Sequence, residues 1–460
     1  MESITKGIPK IEQNIFLIAT TSYIIFNTLI QFWINKSVEH WEHDEYYHIS
    51  HAVQFYNADY SYNKFITTPP GLYLLGKLYL HIVRPINYVL NFEVDEDYHT
   101  YIRYLNASVL GGINFILLYK IVEAKYQEKN IYAIFTFVLS VIFIPIYYPM
   151  HVVFYTEIGS MSYLLLTYYL VLVRKVNQRK LGKLLLILVG ICAFGQRQTN
   201  IIWINYIAII GFINNYEMQF KSILSNLVKI ISENLWLAVI DLMFIYFYIW
   251  NGNSIVIGDR DSHPLVLHYA QLLYSLLFLI VCIPVPFHTK VFQIVEDIFQ
   301  IIKLRRPFKT LAFLILNGIA YLMVLNGTFT HKFIESNRGH YSFEFNKIVI
   351  KNEQVQFALV PLYSILTISL YEILAQTQGP KAKYISAIFL VASAMTLFPC
   401  QLFELRYFLH PVFLVSLEMF NPRRTKMEVW LGALAYMNFY LLHEYRDHPF
   451  WFHHEHHYFL

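Results

Sequence analysis

Acids, arginines and histidines occur in this 460-residue chain as short polar blocks set between long apolar runs. Trp41-Glu42-His43-Asp44-Glu45 is followed by Thr67-Thr68-Pro69-Pro70-Gly71. Further along come Tyr155-Thr156-Glu157, Gln196-Arg197-Gln198-Thr199-Asn200 and Gly258-Asp259-Arg260-Asp261-Ser262-His263. The last two are Ser336-Asn337-Arg338-Gly339-His340-Tyr341 and Glu404-Leu405-Arg406-Tyr407. A carboxylate of the first block would serve as a general base, taking the proton of an attacking hydroxyl. The guanidinium fork matches phosphate oxygens, so the arginines would hold a phosphate. Together these imply group transfer from a phosphate-linked donor to a hydroxyl acceptor. An aromatic content of 18% suits stacking on sugar rings and packing against lipid chains.

Each block also has a plainer reading. Asp44 and Glu45 fit the solvated start of an interfacial helix. The arginines fit anchors that snorkel at helix ends. Thr67–Gly71 fits a turn into a helix, and Thr156-Glu157 fits a helix cap. Asp241 lies inside an apolar run, where an ionised side chain is costly, and reads as the structural partner of a polar neighbour.

The elements that position these blocks follow from composition. The chain is 56% hydrophobic and 14% charged, against about 25% charged in a soluble domain. That composition specifies an all-α polytopic membrane protein. Expected spans are 14–34, 104–122, 131–149, 158–173, 184–195, 201–213, 235–250, 267–285, 311–327, 354–373, 384–399, 407–420 and 428–442. This gives about 12–13 membrane-spanning helices, several of them shorter than a lipid-facing helix needs. The pair 184–195 and 201–213 also fits one re-entrant hairpin. The first run, Asn14 to Ile34, is uncharged and too long for a signal-peptide core, so it reads as a retained helix.

Sidedness follows from Lys and Arg in short loops. A cytosolic N-terminus puts most of the 35 Lys and Arg on the cytosolic side, including Arg174-Lys175, Arg305-Arg306 and Arg423-Arg424. Nearly every polar block then lies on the opposite face, in a first loop over 35–103 and five later ones. Gly71–Val83 is apolar, but Lys77, His81 and Arg84 interrupt it. It is expected to lie in the membrane interface, because a further span here would reverse the sidedness of every basic loop. The whole chain, 1–460, reads as one membrane-embedded domain. A net charge of +4 gives nucleic-acid binding no support. The three cysteines, Cys192, Cys282 and Cys400, make no metal or disulfide spacing. The tail 443–460 has six histidines, spaced unlike a tetrahedral metal site. No metal or cofactor is expected.

At this point the blocks resemble a known family. Asp44-Glu45…His48…Gln54…Tyr56, followed by Ile66-Thr67-Thr68-Pro69-Pro70-Gly71-Leu72-Tyr73, is similar to the first luminal loop of the dolichyl-phosphate-glucose-dependent α-1,2-glucosyltransferases. These enzymes add the terminal glucose to the lipid-linked oligosaccharide precursor of N-glycosylation. Arg197-Gln198-Thr199-Asn200-Ile201-Ile202-Trp203 resembles another block of that family. So do Gly258-Asp259-Arg260…Ser262-His263…His268…Gln271, Ser336–Tyr341 and Glu404–Phe408. Two departures stand out: Gly339 separates Arg338 from His340, and Leu405 stands where phenylalanine is common.

The resemblance implies a GT-C glycosyltransferase bundle in the endoplasmic reticulum membrane, with its active site luminal. It implies dolichyl phosphate glucose as donor, a diglucosylated dolichyl-diphosphate oligosaccharide as acceptor, membrane lipid as surroundings, and inversion at the transferred sugar. It places the base at Asp44, with Glu45 as second choice. It places the donor phosphate on Arg260, Arg338, His340 and Arg406. Arg197, Tyr155, Glu157 and His263 are then left for substrate binding. Two other readings compete: a transferase for a different polyprenyl-phosphate sugar, and a lipid or solute transporter. A transporter would place its ionisable residues near the midplane and show repeats, and neither is evident.

In sealed microsomes, a protease added from the cytosolic side is expected to cut the Arg305-Arg306 loop; protection of that loop would invert the orientation.

Overall fold

The computed structural model describes residues 10–38, 43–89, 98–127, 130–145, 147–282, 296, 299–300, 307–331, 333–334, 341–419, 428–447, 450–452 and 455–457. Nineteen helices carry the fold among these residues. They are α1 (Lys10–Asn35), α2 (His43–Tyr56), α3 (Gly71–Val89), α4 (His99–Tyr104), α5 (Gly111–Tyr126), α6 (Ile131–Ile142) and α7 (Thr156–Tyr168). Next come α8 (Lys180–Gln196), α9 (Asn200–Asn215), α10 (Phe220–Ser225), α11 (Leu227–Trp250), α12 (Ala270–Cys282) and α13 (Pro307–Asn326). The last are α14 (Tyr341–Phe345), α15 (Glu353–Ala358), α16 (Val360–Gln378), α17 (Ala382–Leu397), α18 (Leu409–Met419) and α19 (Glu428–Asp447). A two-stranded hairpin, Phe450–Phe452 against Glu455–His457, is the one departure from helix among the described elements, and the sequence gives no sign of it.

Every expected span carries a helix. Six segments are long and apolar enough to cross a bilayer: Asn14–Asn35, Thr100–Tyr126, Thr156–Val173, Leu227–Trp250, Pro307–Asn326 and Glu353–Leu397, the last of 45 residues and holding α15 to α17. Three shorter apolar helices accompany them, Ile131–Ile142, Asn200–Asn215 and Ala270–Leu279. The chain is a multi-pass membrane protein. Burial sorts its helices into two kinds. The apolar windows of α11 and α13 are each only 17% buried, whereas that of Thr156–Val173 is 72% buried. Leu235, Leu242, Ile245 and Ile249 on α11 therefore face outward, as do Leu311, Leu314 and Leu322 on α13. In water such surfaces would aggregate; against lipid they are the correct surface. The inner helices are screened by their neighbours, so they tolerate Asn, Ser and Gly within their length.

Two local features aim the inner elements at one end of the bundle. Between α4 and α5 the helix widens into a π turn over Leu105–Leu110. Asn106 on that turn donates to the carbonyls of Val153 (2.8 Å) and Tyr155 (2.9 Å). It thereby fixes the extended, buried segment that leads into α7. Such turns interrupt helices mostly where a site needs the backbone displaced.

The first-loop helices pack on each other, and α3 also packs on α8. On α3 the residues Leu74, Leu78, Ile82 and Ile86 recur every fourth position and are exposed. They form one apolar stripe along the outside. The residues that interrupt the run turn toward protein. Lys77 bonds the Tyr60 hydroxyl, Arg84 bonds those of Tyr98 (3.1 Å) and Tyr56 (3.3 Å), and the His81 ring lies 4.6 Å from that of Tyr56. An apolar outer stripe beside a polar, protein-facing flank is the pattern of a helix lying along a membrane surface.

Gly71 lets α3 start against the end of α8, because a Cβ there would stand 2.4 Å from the carbonyl oxygen of Gly195. The variant Gly71→Ala is expected to lose about 1–3 kcal/mol, read as a lower Tm of the detergent-solubilised protein. Gly318→Ala, where a Cβ meets nothing within 4 Å, is expected to lose none.

Candidate active site

The first acid pair splits into two different environments. Asp44 and Glu45 open α2, where negative charge suits the helix N-terminus. Consecutive helix residues point about 100° apart, so the two side chains cannot share a partner. Glu45 turns inward and is wholly buried. Arg103 on α4, also wholly buried, donates to both its oxygens, through Nε at 2.9 Å and Nη2 at 2.5 Å. The backbone N–H of Phe154 adds a third bond at 2.7 Å. Asp44 turns the other way; its side chain is half exposed. Glu45 is expected from the sequence as the second choice for the base. In the structure its oxygens are taken up by Arg103 and the Phe154 backbone.

Asp44 meets Arg406, whose Nη2 lies 3.2 Å from the Asp44 carboxylate. The Nε of Arg406 donates to Glu404, and its guanidinium covers the Tyr155 ring at 5.1 Å. Arg197 pairs with Glu157 and covers the Tyr407 ring at 5.9 Å. Below them, Ser160 donates to the Asn200 side chain at 2.7 Å. The Nε2 of His410 must then donate to Ser160, at 2.7 Å. His48, one turn after Asp44, contacts the Tyr73 hydroxyl through Nδ1 at 2.9 Å and the Tyr155 ring edge-on at 5.0 Å. Burial pushes its imidazole down to about 4, against the pull of Asp44. His48 is therefore neutral near neutral pH.

Loops hold these groups, and the loops hold each other. The Thr67–Gly71 block runs beside residues 255–259, with backbone bonds from Gly258 to Ile66 (2.9 Å), Ile257 to Thr67 (3.2 Å) and Asp259 to Lys64 (2.8 Å). Gln198 clamps the seam by donating to the carbonyls of Thr67 (2.7 Å) and Ile255 (3.1 Å). The approach is close enough that a Cβ on Gly258 would stand 2.3 Å from the Lys64 oxygen. His268 and Gln271 do not face the acids. Gln271 donates to the carbonyls of Cys400 (2.6 Å) and Leu402 (3.0 Å), and the Phe398 carbonyl accepts from the His268 backbone (2.9 Å). They brace the segment that carries Glu404 and Arg406.

Beside this cluster lies a cavity of about 850 Å³. Arg197, Gln198, Arg260, His263, Tyr407 and His410 line its polar end. Its walls are apolar faces of α9, α11 and α17, among them Ile202, Ile209, Phe244, Val391 and Met395. Asp241 reaches the wall too, and Asn205 donates to it at 2.9 Å, the polar partner its position in a span requires. Arg260 bonds neutral groups, Asn251 Oδ1 at 2.5 Å and the Ile257 carbonyl at 3.2 Å. His263 contacts the Asp259 carbonyl at 2.9 Å.

Six of the seven polar blocks thus meet at one end of the bundle. Arg338 and His340 lie outside the described residues. Reading from sequence missed Arg103, which sits inside an apolar run and pairs across 58 positions; an arginine there is itself the available signal, since a buried guanidinium demands an acid. It also missed Glu404 as a partner of Arg406, although the two stand two residues apart.

The fold and site define a class: a polytopic all-α membrane protein with an acid–arginine cluster beside an apolar cavity. The chain belongs to the DIE2/ALG10 family, whose model matches residues 38–222 and 209–417. A relative from Candida albicans is 26% identical over 414 residues, covering 86% of this chain and 88% of its own length. A human relative is 26% identical over 447 residues, with 86% and 87% covered. One from Arabidopsis thaliana is 24% identical over 472 residues, with 84% and 87% covered. All three are named Dol-P-Glc:Glc(2)Man(9)GlcNAc(2)-PP-Dol alpha-1,2-glucosyltransferase. No solved structure matches the chain.

Breaking a buried pair from one side strands a charge. Glu45→Gln is accordingly expected to cost about 3–5 kcal/mol, and Asp44→Asn within about 0.5 kcal/mol, compared by thermal unfolding in detergent. Equal losses for the two would contradict the division of roles.

Proposed function

We propose that this chain transfers glucose from dolichyl phosphate glucose to the diglucosylated, dolichyl-diphosphate-linked oligosaccharide, forming a terminal α-1,2 linkage. The observation that carries the reading is Asp44: a half-exposed carboxylate, fixed by Arg406, in an acid–arginine cluster beside a cavity with apolar walls that Arg197 and Tyr407 border. Family membership and the names of relatives matched over most of their length support the substrate assignment.

The chemistry is an inverting displacement. The acceptor hydroxyl oxygen attacks the anomeric carbon, and the bond from that carbon to the phosphate oxygen breaks. Its electron pair leaves with dolichyl phosphate. The hydroxyl proton passes to the Asp44 carboxylate, on the face opposite the departing phosphate. Asp44 is the base; Glu45 anchors the helix that presents it. The polyprenyl chain lies along the apolar walls, and the phosphate meets the guanidiniums at the polar end, Arg260 first, with Arg197 and His263 beside it. Guanidinium charge and hydrogen bonds stabilise the leaving phosphate. Arg338 and His340 are proposed as further donor ligands on the resemblance of their block alone. Tyr155 and Glu157 shape the acceptor side.

The site lies on the luminal face of the endoplasmic reticulum membrane, with the N-terminus cytosolic. That sidedness rests on the basic loops. The single membrane-embedded domain, with 35–103 as its first luminal loop, has the GT-C plan.

Microsomes lacking this protein are expected to accumulate the lipid-linked oligosaccharide one glucose short. Wild type restores the full precursor, and Asp44→Asn leaves at least about 100-fold less transfer. A normal precursor in the null would end the glucosyltransferase reading, whereas full rescue by Asp44→Asn would remove only the choice of base.

A further inference from the structure

We propose that Arg406 and Glu404 are positioning residues that hold the Asp44 carboxylate, and that Arg406 is not a ligand of the donor phosphate. This rests on Asp44 being the base, as proposed above. From sequence Arg406 stands with the phosphate-binding arginines; its bonding in the structure assigns it elsewhere.

The first argument is geometric. A guanidinium takes an oxyanion bidentately through one edge. On Arg406 the Nε–Nη2 edge is divided between two carboxylates, Glu404 at Nε and Asp44 at Nη2. One face lies on the Tyr155 ring. The side that would best receive a phosphate is filled by protein acids. On Arg260 the same edge is occupied as well, but by neutral oxygens that leave its charge uncompensated, and it borders the cavity.

The second argument is electrostatic. Arg406 feels Glu404, Asp44 and Glu157 together, with the Tyr155 hydroxyl. Glu404 in turn feels Arg406, Asp44 and Glu157. A phosphate on Arg406 would stand beside Asp44 and Glu404 and be repelled by both. Among the described residues, the other charged groups on this cluster are Arg197, paired with Glu157, and Glu45, paired with Arg103. His48 is neutral there. Burial pushes the Glu404 carboxyl up and Arg406 pulls it back, so each needs the other.

The third argument is mechanical. Glu404 is the more enclosed acid, its side chain 12% exposed against 50% for Asp44. It hangs from the segment that Gln271 braces at Cys400 and Leu402. Asp44 is thus located twice. Its backbone is set by Glu45 on Arg103, and its carboxylate by Arg406 on Glu404. The first anchor fixes where the helix begins; the second fixes the rotamer and keeps the carboxylate charged.

A pH series of kcat and donor KM, measured on the full-length purified protein with dolichyl phosphate glucose, separates positioning from phosphate binding. Activity rises with pH as Asp44 loses its proton. Removing the neighbouring cation in Arg406→Gln destabilises the charged carboxylate, so the acid limb moves to higher pH. Removing an anion in Glu404→Gln has the opposite effect, and the limb moves measurably to lower pH. Arg406→Gln is expected to lower kcat about 100-fold with donor KM within about twofold. Arg406→Lys, which keeps the charge and loses the fork, should return the limb to its wild-type place with part of the rate. A rise of about tenfold or more in donor KM for Arg406→Gln with an unmoved limb would make Arg406 a phosphate ligand and overturn the proposal. If that variant does not fold, Glu404→Gln decides alone, and an unmoved limb there overturns it equally. Wild type that transfers no glucose would instead refute the proposed function.

Discussion

The buried ion pair between Glu45 and Arg103 is the interaction on which the site depends. Both side chains are shut off from solvent, and such a pair is rarely a net source of stability. Its geometry explains why it is kept. Two guanidinium bonds and one backbone N–H converge on one carboxylate. They tie α2 to α4 and to the extended segment before α7 in a single knot. Tyr155, at the end of that segment, supports Arg406; Glu157, on the first turn of α7, pairs with Arg197. Displacing Glu45 would therefore move Asp44, the ring under Arg406 and the start of α7 together.

The membrane imposes the second constraint. Irregular backbone is tolerated at the end of a bundle only when its polar groups find partners. Here the loops satisfy one another. Residues 64–67 pair with 257–259, Gln198 closes the seam, and His268 and Gln271 brace 398–402. Five chain segments are thereby tied together by hydrogen bonds beside the cavity. Gly71 and Gly258 sit where two backbones come closest, which is the reason for glycine at each.

Helices were legible in the sequence because hydropathy is a local property, readable within each span. The two-sided character of α3 was legible for the same reason: Lys77, His81 and Arg84 recur at three- and four-residue intervals and mark one flank. The division of labour between Asp44 and Glu45 was not legible. It depends on Arg103, 58 residues away, and on Arg406, 362 away. No pattern within the Asp44-Glu45 dipeptide encodes those partners. The resemblance correctly grouped the blocks but said nothing of which residues face the cavity. His268 and Gln271 belong to the same block as Arg260, yet they brace backbone while Arg260 borders the open space.

The arginines make the same point about residue type. Arg103, Arg197, Arg260 and Arg406 carry the same fork and differ in what already occupies it. Arg103 is spent wholly on structure, and Arg197 and Arg406 face acids. Arg260 bonds neutral oxygens and so retains most of its field for an incoming anion. A phosphate enters this end of the bundle against the charge of Asp44, Glu157 and Glu404. Those carboxylates must be countered before it arrives, or a lipid phosphate would be turned away. Pairing Arg406 and Arg197 with acids provides that compensation in advance. The fields of the paired groups cancel at a distance, whereas Arg260 bonds neutral oxygens only, which is what the proposed donor site uses.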